Sequence, residues 1–313
     1  ILQPDMTVSE ELSVAIHDSW IKKIGPSGEM KENFQPSETL DGTGKLLMPG
    51  LVDGHTHTCQ QLLRGRVSDE YPMVWTRILV PFESNLRPED SYISGQLACL
   101  EMIKNGTTSF ADSGGVHMER VADAVLESGM RAAIAKSTMD MGNAITGAMK
   151  ETAEEAVNHT RELYQAYDGK GDGRISIWFA IRQVMTCSKE LIAMVRDAAA
   201  ELNTGIHAHL CEHKDEVSFC LQNYKKRPAQ FLEEMGILGP NLLTAHNVML
   251  SDADISIMAE RGVKIIHCPR ANLANHGFPK TPQILEAGAS VGLGCDGAAP
   301  SNLDLFDEIK VLR

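Results

Sequence analysis

The chain has 313 residues, 43% hydrophobic and 23% charged, which suits one large soluble domain or one domain with a small appendage. A formal net charge of −13, only 5% aromatics and no basic cluster argue against nucleic acid and anionic lipid as partners, leaving a small molecule. No run reaches the ~18 apolar residues of a membrane span, and no signal peptide is visible. The seven cysteines, Cys59, Cys99, Cys187, Cys211, Cys220, Cys268 and Cys295, are odd in number and form no CxxC pair. They read as buried, reduced thiols of a cytoplasmic protein.

Residues 1–48 form a separate β-rich segment. Within it "LSVAIHDSWIKKIGP" alternates apolar and polar residues up to Gly25-Pro26, which predicts a hairpin. His17 lies in that hairpin and reads as a surface residue rather than a ligand. After Pro49 short apolar strands alternate with amphipathic helices. Eight strands are predicted, at 51–57, 107–112, 131–137, 175–181, 204–211, 241–246, 263–267 and 290–296. Between them, "RPEDSYISGQLACLEMIKNG" predicts a helix from Pro88, with Ile93, Leu97, Leu100 and Ile103 as its apolar stripe. "SKELIAMVRDAAAELN" opens on a Ser188 cap, and "SDADISIMAERG" runs from a Ser251 cap to Gly262. "DGKGDG" at 168–173 fails the EF-hand rule, with Lys170 at its third position and Phe179 at its twelfth, and reads as a turn. Eight β-then-α units predict an α/β chain folded as a (β/α)₈ TIM barrel over 49–313. The chain stops soon after the eighth strand, and the N-terminal sheet lacks partner strands. The expectation is a C-terminal end lying beyond this sequence.

Chemistry enters at "LLMPGLVDGHTHTCQ", residues 46–60. Strand side chains alternate with period two, so His55 and His57 share a direction at the end of the first strand. In a barrel that direction is inward, at the catalytic rim. An HxH pair alone is weak evidence for a metal. Strand five adds His207 and His209, with Glu212 just beyond; strand six ends at His246 and strand eight at Asp296. Four strands thus bring histidine or carboxylate to one rim. Parity leaves both His207 and His209 facing inward and does not choose between them.

The segments "MPGLVDGHTH", "LLRG", "WTRILVPFES", "NGTTSFAD", "HLCE", "TAHNVML", "HCPRANL" and "GLGCDGAA" occur in one order across nearly the whole chain. That set resembles the amidohydrolase superfamily. It is similar to the branch holding cytosine and guanine deaminases, methylthioadenosine/S-adenosylhomocysteine deaminases and triazine hydrolases. The resemblance implies that residues 1–48 are the N-terminal part of a small β-sandwich. It implies one divalent metal held by His55, His57, His209 and Asp296, zinc first and Fe2+ as the alternative. The family pattern of His, two residues, then Glu selects His209, with His207 a layer deeper. Binuclear relatives carry a bridging lysine on strand four; "RISIWFAIRQVM" has none, so a single metal is expected. Catalytic roles fall to Glu212 as proton shuttle, to His246 as the group that orients water or steadies the adduct, and to Asp296 as ligand and proton acceptor. The implied reaction is hydrolytic deamination of an amino-substituted nitrogen heterocycle (a purine, pterin or related ring) in a homo-oligomer.

For substrate contacts the candidates are Glu83, Trp75, Gln61 and Arg182. "VPFES" resembles a segment whose acid contacts ribose; the competing reading of Glu83 is a structural salt bridge. Trp75 covers the pocket or packs in the core. Arg182 stands where nucleoside deaminases carry His, which speaks against adenosine-type recognition and for an oxopurine, pterin or triazine; a structural ion pair is the competing reading. His267 and Asn272 fit positions that shape the rim, whereas His276 reads as a surface-loop histidine. Release of chloride or an alkylamine from a triazine, or opening of a cyclic amide, would use the same site, but Glu212 favours deamination. A non-catalytic scaffold would be expected to have lost ligands, and none is missing.

Overall fold

A computed structural model of the chain describes residues 1–67, 70, 74–142, 145–297 and 302–312. The end of the last motif, 298–299, and Arg313 lie outside the described residues. The chain divides into two compact units, Ile1–Gly50 and Leu51–Arg313.

In the first unit β1 (Leu12–His17) pairs antiparallel with β2 (Trp20–Pro26), and a short helix, Ser27–Asn33, follows. His17 is exposed beside Asp18 in the turn.

In the second unit the strands are β3 (Leu51–His57), β4 (Thr107–Asp112), β5 (Arg131–Ala135), β6 (Ile175–Ile181), β7 (Ile206–Leu210), β8 (Leu242–His246) and β9 (Lys264–His267). They run parallel in sequence order. The predicted eighth strand is broken into β10 (Ser290–Leu293) and β11 (Asp296–Gly297). β10 pairs with β9 and β11 pairs with β3, so one segment touches both edges and closes the (β/α)₈ barrel. At the break the Asp53 carboxylate accepts from the His55 and Cys295 amides, both at 3.1 Å.

Helices cover the outside. Ser188 caps the helix Lys189–Leu202 by accepting from Leu191 N–H at 3.0 Å, and Leu191, Ile192, Val195, Ala198 and Ala199 form its inner face. Ser251 caps Asp252–Glu260 in a reciprocal box with Asp254. The "DGKGDG" stretch is a turn whose Asp168 carboxylate accepts from Ile177 N–H and so steadies the start of β6. The core fills the layer between sheet and helices, around Phe179, Leu191 and Met258 on one side and Phe110, Val121 and Ile134 on the other.

One expectation is corrected. In the helix Pro88–Lys104, Ile93, Leu97, Leu100 and Ile103 face outward, 44–58% exposed. The inner face is Ser91, Ser94, Gly95, Ala98, Cys99 and Met102. A Cβ added at Gly95 would sit 3.2 Å from the Ala124 Cβ, so the helix approaches Met118–Ser128 too closely for large side chains. Ser94 donates to Thr58 O at 2.7 Å and accepts from Gln61 N–H, while Ser91 donates to Val116 O.

Candidate metal centre and active site

β3 places His55 and His57 on one side of the strand, both buried. β7 delivers His209, β8 ends on His246, and β11 begins with Asp296. His55 Nε2 and His57 Nε2 lie 3.3 and 3.6 Å from Asp296 Oδ1, and His57 Nε2 lies 3.1 Å from His209 Nε2. The donor atoms of His55, His57 and His209 all lie within 4.8 Å of one another, as do those of His55, His246 and Asp296. Several strand ends turn through left-handed backbone at this rim, at Cys211 (φ 51°), His246 (φ 73°) and Asp296 (φ 62°). Such backbone is costly for non-glycine residues and concentrates at functional sites.

The donor set fits a divalent cation. Burial drives the pKa values of His55, His57 and His209 down, so the rings are neutral and offer lone pairs. Two facing imidazole nitrogens at 3.1 Å repel unless a proton or a cation lies between them. The Nε2 atoms of His55 and His246 are buried with no hydrogen-bond partner among the described residues. His57 Nδ1–H donates to the Gly114 carbonyl, which leaves Nε2 free. Burial works to raise the Asp296 pKa, but the closeness of His55, His246 and His57 outweighs burial and favours the ionised carboxylate. Three imidazoles and one carboxylate supply nitrogen and oxygen donors of the kind that hold zinc.

A cavity of about 410 Å³ opens above this cluster, within the range of small-ligand pockets. Glu212 lines it, two residues past β7. Its carboxylate accepts from the Gln183 amide and pairs with His276 Nε2 at 3.2 Å. Burial opposes its charge, but His246 and His276 prevail and hold its pKa at about 2. His246 Nδ1–H donates to Asn272 Oδ1 at 2.9 Å, so its Nε2 lone pair points at the cluster. His207 Nε2 meets His55 Nδ1 at 2.8 Å, on the side of that ring away from Asp296. His267 donates or accepts at Thr281 Oγ1, 3.2 Å away.

The substrate-contact candidates divide. Trp75 and Arg182 line the cavity. Glu83 is fully buried and makes a two-pronged pair with Arg182, at 3.2 and 3.4 Å, while Gln60 donates to the same carboxylate. The reading of Glu83 as a ribose contact gives way to its alternative, an internal ion pair, and the acid answering Arg182 is Glu83 itself. Gln61 is corrected too. Its side-chain oxygen accepts from Arg64 at 2.7 Å and its backbone N–H donates to Ser94, and it does not line the cavity. After His57 the chain enters a 3₁₀ turn, Thr58–Leu63, and the three-residue period puts Gln60 beneath His57 instead. His276, read as a surface residue, lines the cavity against Glu212. His213 also lines it, its ring 5.5 Å from that of His276. No local pattern marks these two; only the fold brings His276, at the end of the helix Pro269–Asn275, beside His213, at the start of the helix Lys214–Tyr224.

A family profile described as "Amidohydrolase family" matches residues 46–313. The chain is 39% identical over 300 residues to a 5-methylthioadenosine/S-adenosylhomocysteine deaminase of Pelotomaculum thermopropionicum, covering 95% of this chain and 67% of that protein. It is 36% identical over 312 residues to a 5'-deoxyadenosine deaminase of Methanosarcina acetivorans, covering 99% and 70%. Among solved structures, an adenosine deaminase from Xanthomonas campestris with bound zinc superposes with a TM-score of 0.91 at 30% identity, covering 98% of this chain and 69% of that one.

Proposed function

The chain belongs to the amidohydrolase family, and from that premise we propose that it is a cytoplasmic, zinc-dependent aminohydrolase removing an amino group from a purine-type heterocycle. One observation carries the reading: Glu212, His246, His57, His209 and Asp296 line one cavity, with His55 buried against Asp296 at 3.3 Å. When bound, the cation supplies Lewis-acid activation of water, lowering its pKa from ~15.7 toward ~7. Glu212, ionised at neutral pH, conveys one proton of the attacking water to a ring nitrogen of the substrate. Asp296 takes the second proton and passes it to the departing amine. Oxygen joins the ring carbon, the carbon–nitrogen bond breaks, and ammonia leaves. His246, its Nδ1 tied to Asn272, accepts from the water through Nε2 and orients it.

The relatives' substrates support an adenine-bearing compound. Arg182 no longer speaks against one, because Glu83 compensates its charge within the cavity wall. The apolar side chains of Val67, Val74, Leu79 and Met249 offer room for an uncharged substituent. Seven buried, unpaired cysteines support a reducing compartment. No helix of the described residues is long and apolar enough to cross a membrane.

The test measures metal content and ammonia release over a panel of adenine nucleosides, free purines, pterins and triazines. Ammonia from one member, reduced about 10²- to 10⁴-fold in Glu212→Gln, supports the reading. Chloride or alkylamine without ammonia, or a metal-free inert protein, overturns it.

A further inference from the structure

We propose that His207 is a positioning residue that fixes the tautomer of His55, so that the His55 Nε2 lone pair faces the cation. The inference rests on the metal-site reading above and assigns a role to a histidine which that site leaves unused. His207 is 1% exposed, and its Nε2 lies 2.8 Å from His55 Nδ1. His55 Nε2 is the nitrogen that faces Asp296. A neutral imidazole carries one proton on one of its two nitrogens. For Nε2 to donate a lone pair to a cation, the proton must sit on Nδ1, and it then needs an acceptor there. Among the described residues His207 Nε2 is the acceptor given to that atom. Accepting in turn places the His207 proton on its own Nδ1, which is buried and has no partner among the described residues.

That arrangement is unfavourable for stability alone. A buried N–H without an acceptor is costly, and an apolar side chain of similar volume would avoid it. The cost is intelligible if the return is an oriented ligand. Groups behind a ligating imidazole set both its direction and its basicity. His207 also accepts without adding negative charge beneath a site that already contains Asp296.

The experiment compares zinc affinity, by competition with a chelator, in the wild type, His207→Leu and His207→Gln. The Gln amide oxygen can stand where Nε2 accepts; Leu fills the space without accepting. Expected is a loss of about 10- to 100-fold in His207→Leu and affinity near wild type in His207→Gln. Equal affinities in the wild type and a folded Leu variant overturn the assignment, as does an equal loss in Leu and Gln. A second measurement needs no variant: ¹⁵N-labelled histidines in the zinc-loaded wild type should show protons on Nδ1 of both His55 and His207. A proton on His207 Nε2 overturns the proposal while leaving the metal site standing. A wild type that binds no zinc overturns the metal-site reading, and this assignment with it.

Discussion

Glu83 and Arg182 answer each other's charge from positions 99 residues apart. Both are nearly inaccessible to water, so each depends on its partner. Arg182→Met should therefore strand a buried carboxylate and cost about 3–5 kcal/mol in urea denaturation, whereas adding Glu83→Gln should recover most of that loss. Equal stability of the single and double variants would show that the pair is not coupled. Local sequence displays each residue but not the partnership, since nothing near Glu83 points to position 182. Where the spacing itself carries geometry, more is legible. His55 and His57 share a face because strands repeat every two residues, and that holds until the 3₁₀ turn changes the period and exchanges Gln61 for Gln60. His276 had no such handle, because a loop has no period.

Elements position the proposed proton shuttle as much as single residues do. Glu216, in the first turn of the helix Lys214–Tyr224, is fully buried and accepts from the amides of Val184 and Glu212 at 3.4 and 3.3 Å. It ties the loop after β6, which holds Gln183, to the loop after β7, which holds Glu212. Burial, helped by the Glu212 charge, raises its pKa from 4.5 to about 8. Below pH 4.5 the folded and unfolded chains both hold this proton. Between 4.5 and 8 only the folded chain holds it, so stability falls as pH rises across that window. Glu216→Gln removes the titration; it keeps one acceptor oxygen and turns its NH2 toward the other amide, a cost that does not vary with pH. Denaturant-derived stabilities at pH 5, 6.5 and 8 should show the variant gaining on wild type by about 3–4 kcal/mol across the series. Parallel profiles would exclude the proposed titration. The helix Pro88–Lys104 shows why an apolar period can mislead at this scale. Its Leu and Ile stripe is regular, but the neighbouring helix comes so close at Gly95 that no large side chain fits there. Periodicity reports a face; it does not report which face the barrel accepts.

At the scale of the whole molecule, the site exists only because the barrel closes. His55 and Asp296 come from opposite ends of the second unit, and they meet where the last strand lies beside the first. Eight alternating units made that closure expected, but not its form: β10 leaves β9 and, two residues later, β11 joins β3. The crossing passes through Gly294, whose amide donates to His267 O at 3.0 Å. A Cβ there would lie 2.8 Å from both the backbone nitrogen and the backbone oxygen of His55. Backbone atoms of a central strand cannot move aside as a flexible side chain would, so the last strand must retreat, carrying Cys295 and Asp296 with it. Retreat also weakens the amide bonds that Asp53 accepts from His55 and Cys295, leaving a buried carboxylate underused. Gly294→Ala should thus cost more than about 3 kcal/mol and reduce zinc affinity as well, because the ligand moves together with the seam. Gly297 offers the comparison. There an added Cβ meets the Gln60 side chain rather than backbone, and a rotamer change can relieve the contact. Gly297→Ala should be clearly milder in both measurements. If the two variants lose stability and zinc affinity equally, close passage over His55 is not what joins closure to ligand placement.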